Sequence, residues 1–438
     1  MNAQDHYNRL SANTVVSANK ALDYYDGDQL PHMENYLSNK YTGIDKWKDR
    51  KIVPKAVNLV KQIIDGSARV YQDQPQRILS IGGTINDEQS AKYESLLSYS
   101  GNDAFQKCDI LSRFLGVSMI LANYSKITGE IIYRPLHRGN CDVEYNQETE
   151  IIESMFNVSG VISPRGNTVY THWTRDSIKD IEFDGNSMRV LSGQDNPYGI
   201  IPAVPRYDMM PPRAGFWPKP SWELLVGANE AYNMFLIRGD HGLSLQTFPT
   251  CITNAKIPHG TVIGPDAIIE IESNNDEIYF EYKTPVINME QARAFINGFI
   301  EVAADAYSVN LKTDGNDAVN SGFQLLLMNS DVKELTKQRI KAARPTESKL
   351  LEVVKVISDV NNLGISKDAK LTVDFREPSE AADMKTEREQ DRLDYAAGII
   401  TLESIIKKRN PDITPEELAE EIIKINGVKE VDYTDAIN

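Results

Sequence analysis

The chain reads as α+β, with helices and strands gathered into separate stretches, and three observations carry that reading. Between Met289 and Val309 the apolar residues Ala292, Ile296, Phe299, Ala303 and Ala306 recur at alternating spacings of four and three, which puts them on one helix face. A second helical pattern resumes at Phe323 and runs through Leu335 and Ile340 to Val360, after a polar loop holding two glycines. From Gly129 to Pro205, short runs of alternating polarity are separated by glycine and asparagine turns, the period-two pattern of strands.

Taken in order, the spacing predicts a helix around Ser17–Tyr25 that stops at Asp26-Gly27-Asp28. It predicts another over Val53–Tyr71, with Ala56, Val60, Ile63, Ile64 and Ala68 on one stripe. Helical regions follow at Asp87–Ser98 and Asp103–Tyr124. Strands are expected at Gly129–Pro135, Cys141–Tyr145, Glu150–Val158, Thr168–Thr174, Ser177–Phe183 and Ser187–Leu191, with Asn196–Pro205 closing the block.

Met209–Pro220 is too rich in proline for a helix or a central strand and reads as a linker. Ser221–Leu245 reads as a helix with a broad apolar face, which Gly239 and Gly242 are expected to end or loosen. Phe248–Thr253, Ile268–Ile271 and Glu277–Tyr282 read as strands of a small insert. Inside the second long helix, Arg344-Pro345 is expected to bend the rod, because proline lacks an N–H and its ring meets the carbonyl one turn back. From Ser379 acids and bases alternate rapidly, and Thr414-Pro415 starts a last acidic helix.

Length and composition set limits. At 438 residues there is room for two or three domains or one elaborate subunit, and 41% hydrophobic with 25% charged residues belongs to a folded chain. The longest apolar run, Phe114–Tyr124, is too short for a membrane helix, and the start of the sequence has no signal-peptide pattern, so a soluble protein made in a cytoplasm is expected. Cys108, Cys141 and Cys251 lie far apart and are odd in number, which fits reduced thiols rather than a disulfide framework or a zinc site. The formal charge of −16 argues against tight phosphate binding.

Chemistry is hard to find. The sequence has no Gly-x-x-x-x-Gly-Lys-Ser/Thr phosphate loop and no Gly-x-Ser-x-Gly elbow. His137, His172, His241 and His259 lack ligand spacing, and acids such as Glu417, Glu420 and Glu421 fit a solvated helix face. No catalytic residue, metal ligand or cofactor is expected.

The order of elements resembles bacteriophage portal proteins, in the siphophage branch of that family. The resemblance rests on the Tyr24, Tyr25, Gly27 turn, then Asn58 and an aliphatic helix ending in Ala-Arg-x-Tyr before Gln74-Pro75. It also rests on the glycine and Ile-Pro step within Asn196–Pro205, on two long helices around a β-rich insert, and on the Gly-Ile-Ile-Thr-Leu-Glu step before an acidic tail. It implies a portal fold: a wing over 1–220, stem helices over 221–247 and 287–310, and a clip over 248–286. A tunnel loop over 311–322, a kinked helix with a wing return strand over 323–378, and a crown over 379–438 complete it.

It further implies a homo-oligomeric ring of twelve subunits at one capsid vertex of a virion, assembled in the host cytoplasm, through which double-stranded DNA is packaged and ejected without sequence preference. A negative chain suits a passage DNA must slide through without sticking. The implied partners are terminase, head-completion or adaptor proteins and the capsid, with no membrane. Lys312, Asp314, Gly315, Asn316, Asp317 and Asn320 would form the tunnel loop. Arg344 and Pro345 would mark the kink, and Trp222, Phe235, Phe295 and Phe299 would supply the oligomer interface, because together they offer more apolar surface than one hairpin can bury. The competing reading is a cytoplasmic enzyme, a metal-dependent nuclease or transferase with a dispersed acidic site.

Overall fold

A computed structural model describes residues 1–10, 12–40, 48, 52–185, 187–209, 215–218, 221–247, 250–253, 280–283, 289–309, 322–375, 401 and 403. The chain divides into two compact units, Met1–Ala318 with Ser330–Arg376, and Val319–Asn329 with Glu377–Asn438. The first unit holds nearly all of the described residues. Its content is mixed helix and sheet, as the patterning predicts.

The first unit opens with α1 (Ala3–Leu10), α2 (Asn13–Asp26) and α3 (Leu30–Lys40). α2 ends as expected: Gly27 takes a left-handed φ of 96°, and its N–H closes on the Asp23 carbonyl. α4 (Leu59–Ser67) is shorter than the stripe implies. Residues 52–58 are not helical, because their backbone groups are bonded elsewhere: the Val57 N–H donates to Asn233 Oδ1 at 2.8 Å, and Asn58 caps α4 by accepting from the Lys61 N–H. β1 (Gln76–Ile81) and β2 (Thr84–Ile85), which periodicity does not reveal, precede α5 (Asp87–Ser98).

α6 (Gly101–Leu115) is followed by β3 (Val117–Ser125), where the sequence predicts continued helix. Gly116, at φ 82°, breaks the helix by donating its N–H back to Ser112, and the apolar run beyond it becomes a strand buried on both faces. A short apolar run without period fits either element. β4 (Glu130–His137), β5 (Cys141–Asn146), β6 (Ile151–Ile162), β7 (Thr168–Thr174), β8 (Ser177–Asp184), β9 (Ser187–Asp195) and β10 (Ala203–Tyr207) fall close to the predicted strands.

β5 to β9 form one antiparallel sheet in sequence order, while β3 lies between β10 and β4 in a second. One face of the five-stranded sheet carries Val143, Met155 and Trp173 against Met119, Leu136 and Phe216. Its other face is covered by α1, whose Ala3, Tyr7 and Leu10 pack with Phe156, Ile181 and Phe183.

α7 (Glu223–Thr247) continues through Gly239 and Gly242 rather than ending there. β11 (Thr250–Thr253) pairs antiparallel with β12 (Phe280–Lys283), followed by α8 (Met289–Asp305). α9 (Gly322–Asn361) carries Pro345 inside one uninterrupted helical span, and β13 (Lys370–Asp374) then pairs antiparallel with β1. The remaining predicted elements, Ile268–Ile271, most of Met209–Pro220 and everything from Ser379 except Thr401 and Glu403, lie outside the described residues.

Candidate functional site

The chemistry-free sequence directs attention to the long helices. β11 and β12 pair Thr250 with Lys283, so α7 leaves and α8 enters at the same end, and the two helices lie side by side and antiparallel. Their shared seam is apolar: Ala228, Met234 and Ile237 of α7 and Ala303 and Ala304 of α8 are buried in one core with Val60, Ile63 and Ile64 of α4. Small residues at 228, 303 and 304 allow close approach of the backbones.

A polar clamp locks α7 to the start of α4. Asn229 and Asn233 are both fully buried. Asn229 Oδ1 accepts the N–H groups of Leu59 at 2.8 Å and Val60 at 3.2 Å, while its Nδ2 donates to Gln29 Oε1 and the Val57 carbonyl at 3.0 Å each. The first two amides of α4 are thus capped from a helix 170 residues away in sequence, and Asn58 caps the next. Asn233 repeats the device, donating to Gln29 at 2.7 Å.

The outer face of α8 is different. Phe295 is 75% exposed and Val302 59% exposed, one heptad apart and so on the same side, about 10 Å from each other. Phe295 borders a cleft of about 870 Å³ whose walls come from α2, α3, α7 and α8 and include Lys20, Met33, Tyr36 and Arg238. A second cleft of about 410 Å³ lies between α4 and the α7–α8 pair, with Leu59, Tyr232, Leu236 and Ile300 in its wall. Phe235 takes part in both.

α9 is anchored by buried ions. Arg339 is fully buried; its Nη2 reaches Asp109 Oδ1 at 2.9 Å and its Nε reaches Asp208 at 2.5 Å. Asp109 also binds Arg206 at 2.8 Å, and Asp208 binds Arg113 at 2.9 Å. Burial works against the charge on Arg339, but Asp109 and Asp208 more than offset it and hold the guanidinium protonated. Two turns on, Glu347 receives a two-point contact from Arg77, at 3.0 and 2.9 Å. Burial raises the Glu347 carboxyl, opposed by Arg77. Between these anchors, Pro345 removes one helical donor, and the Thr346 hydroxyl donates to the Pro205 carbonyl at 2.9 Å.

The predicted site residues fare unequally. Trp222 is 1% exposed and its indole N–H donates to Ser17, so its apolar area is already used inside the subunit; that expectation is corrected. Phe299 is half-buried against the same core, Phe235 is half-buried in the clefts, and Phe295 stands out. Arg344 is exposed and Pro345 half-buried. Lys312, Asp314, Gly315, Asn316, Asp317 and Asn320 lie outside the described residues. Sequence reading missed Asn229, Asn233, Asp109, Arg339 and Glu347; a polar residue on the apolar stripe of a predicted helix, as at Asn229 and Asn233, is the signal that could have found the clamp. Among the described residues no group of three or more His, Cys, Asp or Glu could hold a metal ion, and no helix is long and apolar enough to cross a membrane.

No protein-family model matches the chain, and no curated protein matches it. Among solved structures it is similar to a chain of the virion of a native gene transfer agent particle, at 11% identity and TM-score 0.44 over 81% of this chain and 89% of that one. It is also similar to a chain in the neck of the empty particle computed with C6 symmetry (11%, TM-score 0.42, 83% and 93%). A third likeness is to a chain in the neck of the native particle computed with C12 symmetry (12%, TM-score 0.40, 78% and 87%).

Proposed function

We propose that the chain is the repeating subunit of a portal-type ring, twelve-fold in the virion, through which double-stranded DNA passes at one capsid vertex. α7 and α8 act as the stem, the segment 248–286 as the clip that receives terminase and later head-completion proteins, 311–322 as the tunnel loop and 379–438 as the crown. The bend at Arg344-Pro345 belongs to the same reading. The observation that carries it is the antiparallel α7–α8 pair, joined through a two-stranded sheet and presenting Phe295 and Val302 to the outside beside a cleft. An exposed phenylalanine one heptad from an exposed valine is surface that a neighbouring copy would cover.

Native mass spectrometry and negative-stain microscopy of the purified protein test this. Rings are expected without nucleotide or metal. Phe295→Asp and Val302→Asp each place a charge on the proposed contact without touching the subunit's own core, and each should give monomers with unchanged circular dichroism. Phe299→Asp is less clean, because Phe299 already packs in that core. Rings formed by both variants, or a parent that stays monomeric, would sink the proposal. Any DNA affinity should be weak and fall steeply with salt.

A further inference from the structure

The underside of α1 holds a polar relay that the ring reading does not use. His6, fully buried, points its Nδ1 at Asp142 Oδ2 (2.6 Å) and its Nε2 at Ser154 Oγ (2.7 Å). Ser154 in turn donates its one hydroxyl hydrogen to Glu144 Oε2 at 3.0 Å. His6 thus sits between the Asp142 carboxylate, which it meets directly, and the Glu144 carboxylate, which it meets through Ser154. Glu144 is held below the usual carboxylate range, first by the Met1 amino group bonded to it, against the pull of burial, and then by Ser154 and His6.

A second imidazole lies against the first. His172 on β7 has its ring centre 5.6 Å from that of His6, is 9% exposed, and its Nε2 has no hydrogen-bond partner. Burial, the His6 charge and Lys179 push it down to about 4. The charged and titratable groups around the pair are Asp142 and Glu144 from β5, His172 from β7, Lys179 from β8, and Arg9 and the Met1 amino group from α1's own end of the chain; Arg9 Nη1 stands 4.0 Å from Asp142.

We propose that α1 is an acid-released arm, latched to the five-stranded sheet through His6 and expelled when the buried imidazole pair takes up protons. With a proton on each ring, His6 and His172 would be two cations 5.6 Å apart, and nothing accepts the His172 Nε2 hydrogen. His172 is fixed in the middle of a sheet, whereas His6 rides on eight residues of helix held otherwise by Ala3, Tyr7 and Leu10 and, at its two ends, by the Met1 amino group on Glu144 and Arg9 beside Asp142. Repulsion is therefore relieved by α1 leaving, which uncovers Phe156, Tyr170 and Phe183. Tyr7 now stacks on Phe183, with ring centres 3.8 Å apart. The device holds for a single subunit whether or not rings form.

Hydrogen exchange of the full chain between pH 7.5 and 4, corrected for the intrinsic rate at each pH, tests it. Amides of α1 should lose protection at least tenfold, with a midpoint between about pH 4 and 6, while β6 to β8 stay protected. His172→Phe should lower that midpoint by a unit or more, and His6→Gln should leave α1 poorly protected even at pH 7.5. If α1 and β6 to β8 lose protection together in the parent, the latch does not exist; that comparison needs no variant. A His172→Phe protein of unchanged circular dichroism and unchanged midpoint would equally overturn it.

Discussion

Replacing Asn229 with alanine should cost the first unit far more than an ordinary helix cap is worth. The change strips two acceptor contacts from the Leu59 and Val60 amides and leaves the Val57 carbonyl without its donor, while Gln29 keeps its contact with Asn233. Val60 and Asn229 are both fully buried, so the Val60 amide has no ready solvent, while Leu59 is half-buried and Val57 the most exposed of the three. At about 1–3 kcal/mol for each buried group left unpaired, and allowing the Val57 carbonyl to find water, the loss is about 2–6 kcal/mol.

Asn58→Ala, which removes the conventional cap on the Lys61 amide, should cost only about 1 kcal/mol. Asn229→Asp keeps both acceptor contacts but turns an oxygen toward Gln29 Oε1 and the Val57 carbonyl, so it should lie between the two. Urea unfolding followed by tryptophan fluorescence, to which Trp222 just ahead of α7 contributes, measures all three. Should Asn229→Ala fall within 1 kcal/mol of the parent, the clamp is not what holds α4 against α7.

Arg339→Met should destabilise by about 3–5 kcal/mol, because it leaves the buried Asp109 and the half-buried Asp208 short of countercharge; differential scanning calorimetry checks this. Gly116→Ala should cost about 2 kcal/mol or more, since an alanine there takes a φ of 82° and its Cβ meets Pro218 Cγ at 2.7 Å. Stability should also fall on acidification from about pH 6.5 toward 4. His137 and His172 are both pushed down to about 4, chiefly by burial, so in that window the unfolded chain binds protons that the folded chain refuses. Cys108 is buried and its thiol is pushed up to about 12, so its alkylation at pH 8 should proceed only at the rate of unfolding.

Elements whose own side chains decide their structure were legible in the sequence. β6 to β9 are set off by glycine and asparagine turns clearly enough to be placed within a few residues, and α5 is bounded by Asn86, whose side chain caps the Gln89 amide. Where distant partners decide, local pattern misled. Residues 53–58 carry an apolar stripe in helical register, yet Asn233 takes one of their amides. The run after Gly116 has no period at all, and only a glycine at φ 82° separates helix from strand. α1 is eight residues long, too short for periodicity to stand out, and His6 meets Asp142 and Ser154 from 136 and 148 residues away. Of the proposed interface, Phe295 and Val302 could be read as apolar, but that Trp222 would be withdrawn into the core depended on α2.

The pairing of β1 with β13 sets a schedule for synthesis. Ser80 is matched with Lys370, so the strand that emerges early from the ribosome waits about 290 residues for its partner. At about 5–20 residues per second that is roughly 15–60 s with an unpaired edge, since β2 offers β1 only a two-residue match on its other side. Arg77 in that strand waits almost as long for Glu347, 270 residues on. Nascent chains stopped before Lys370 should therefore be held by chaperones and cut readily near β1, and release of the last strand should be the step that makes the first unit resistant to protease.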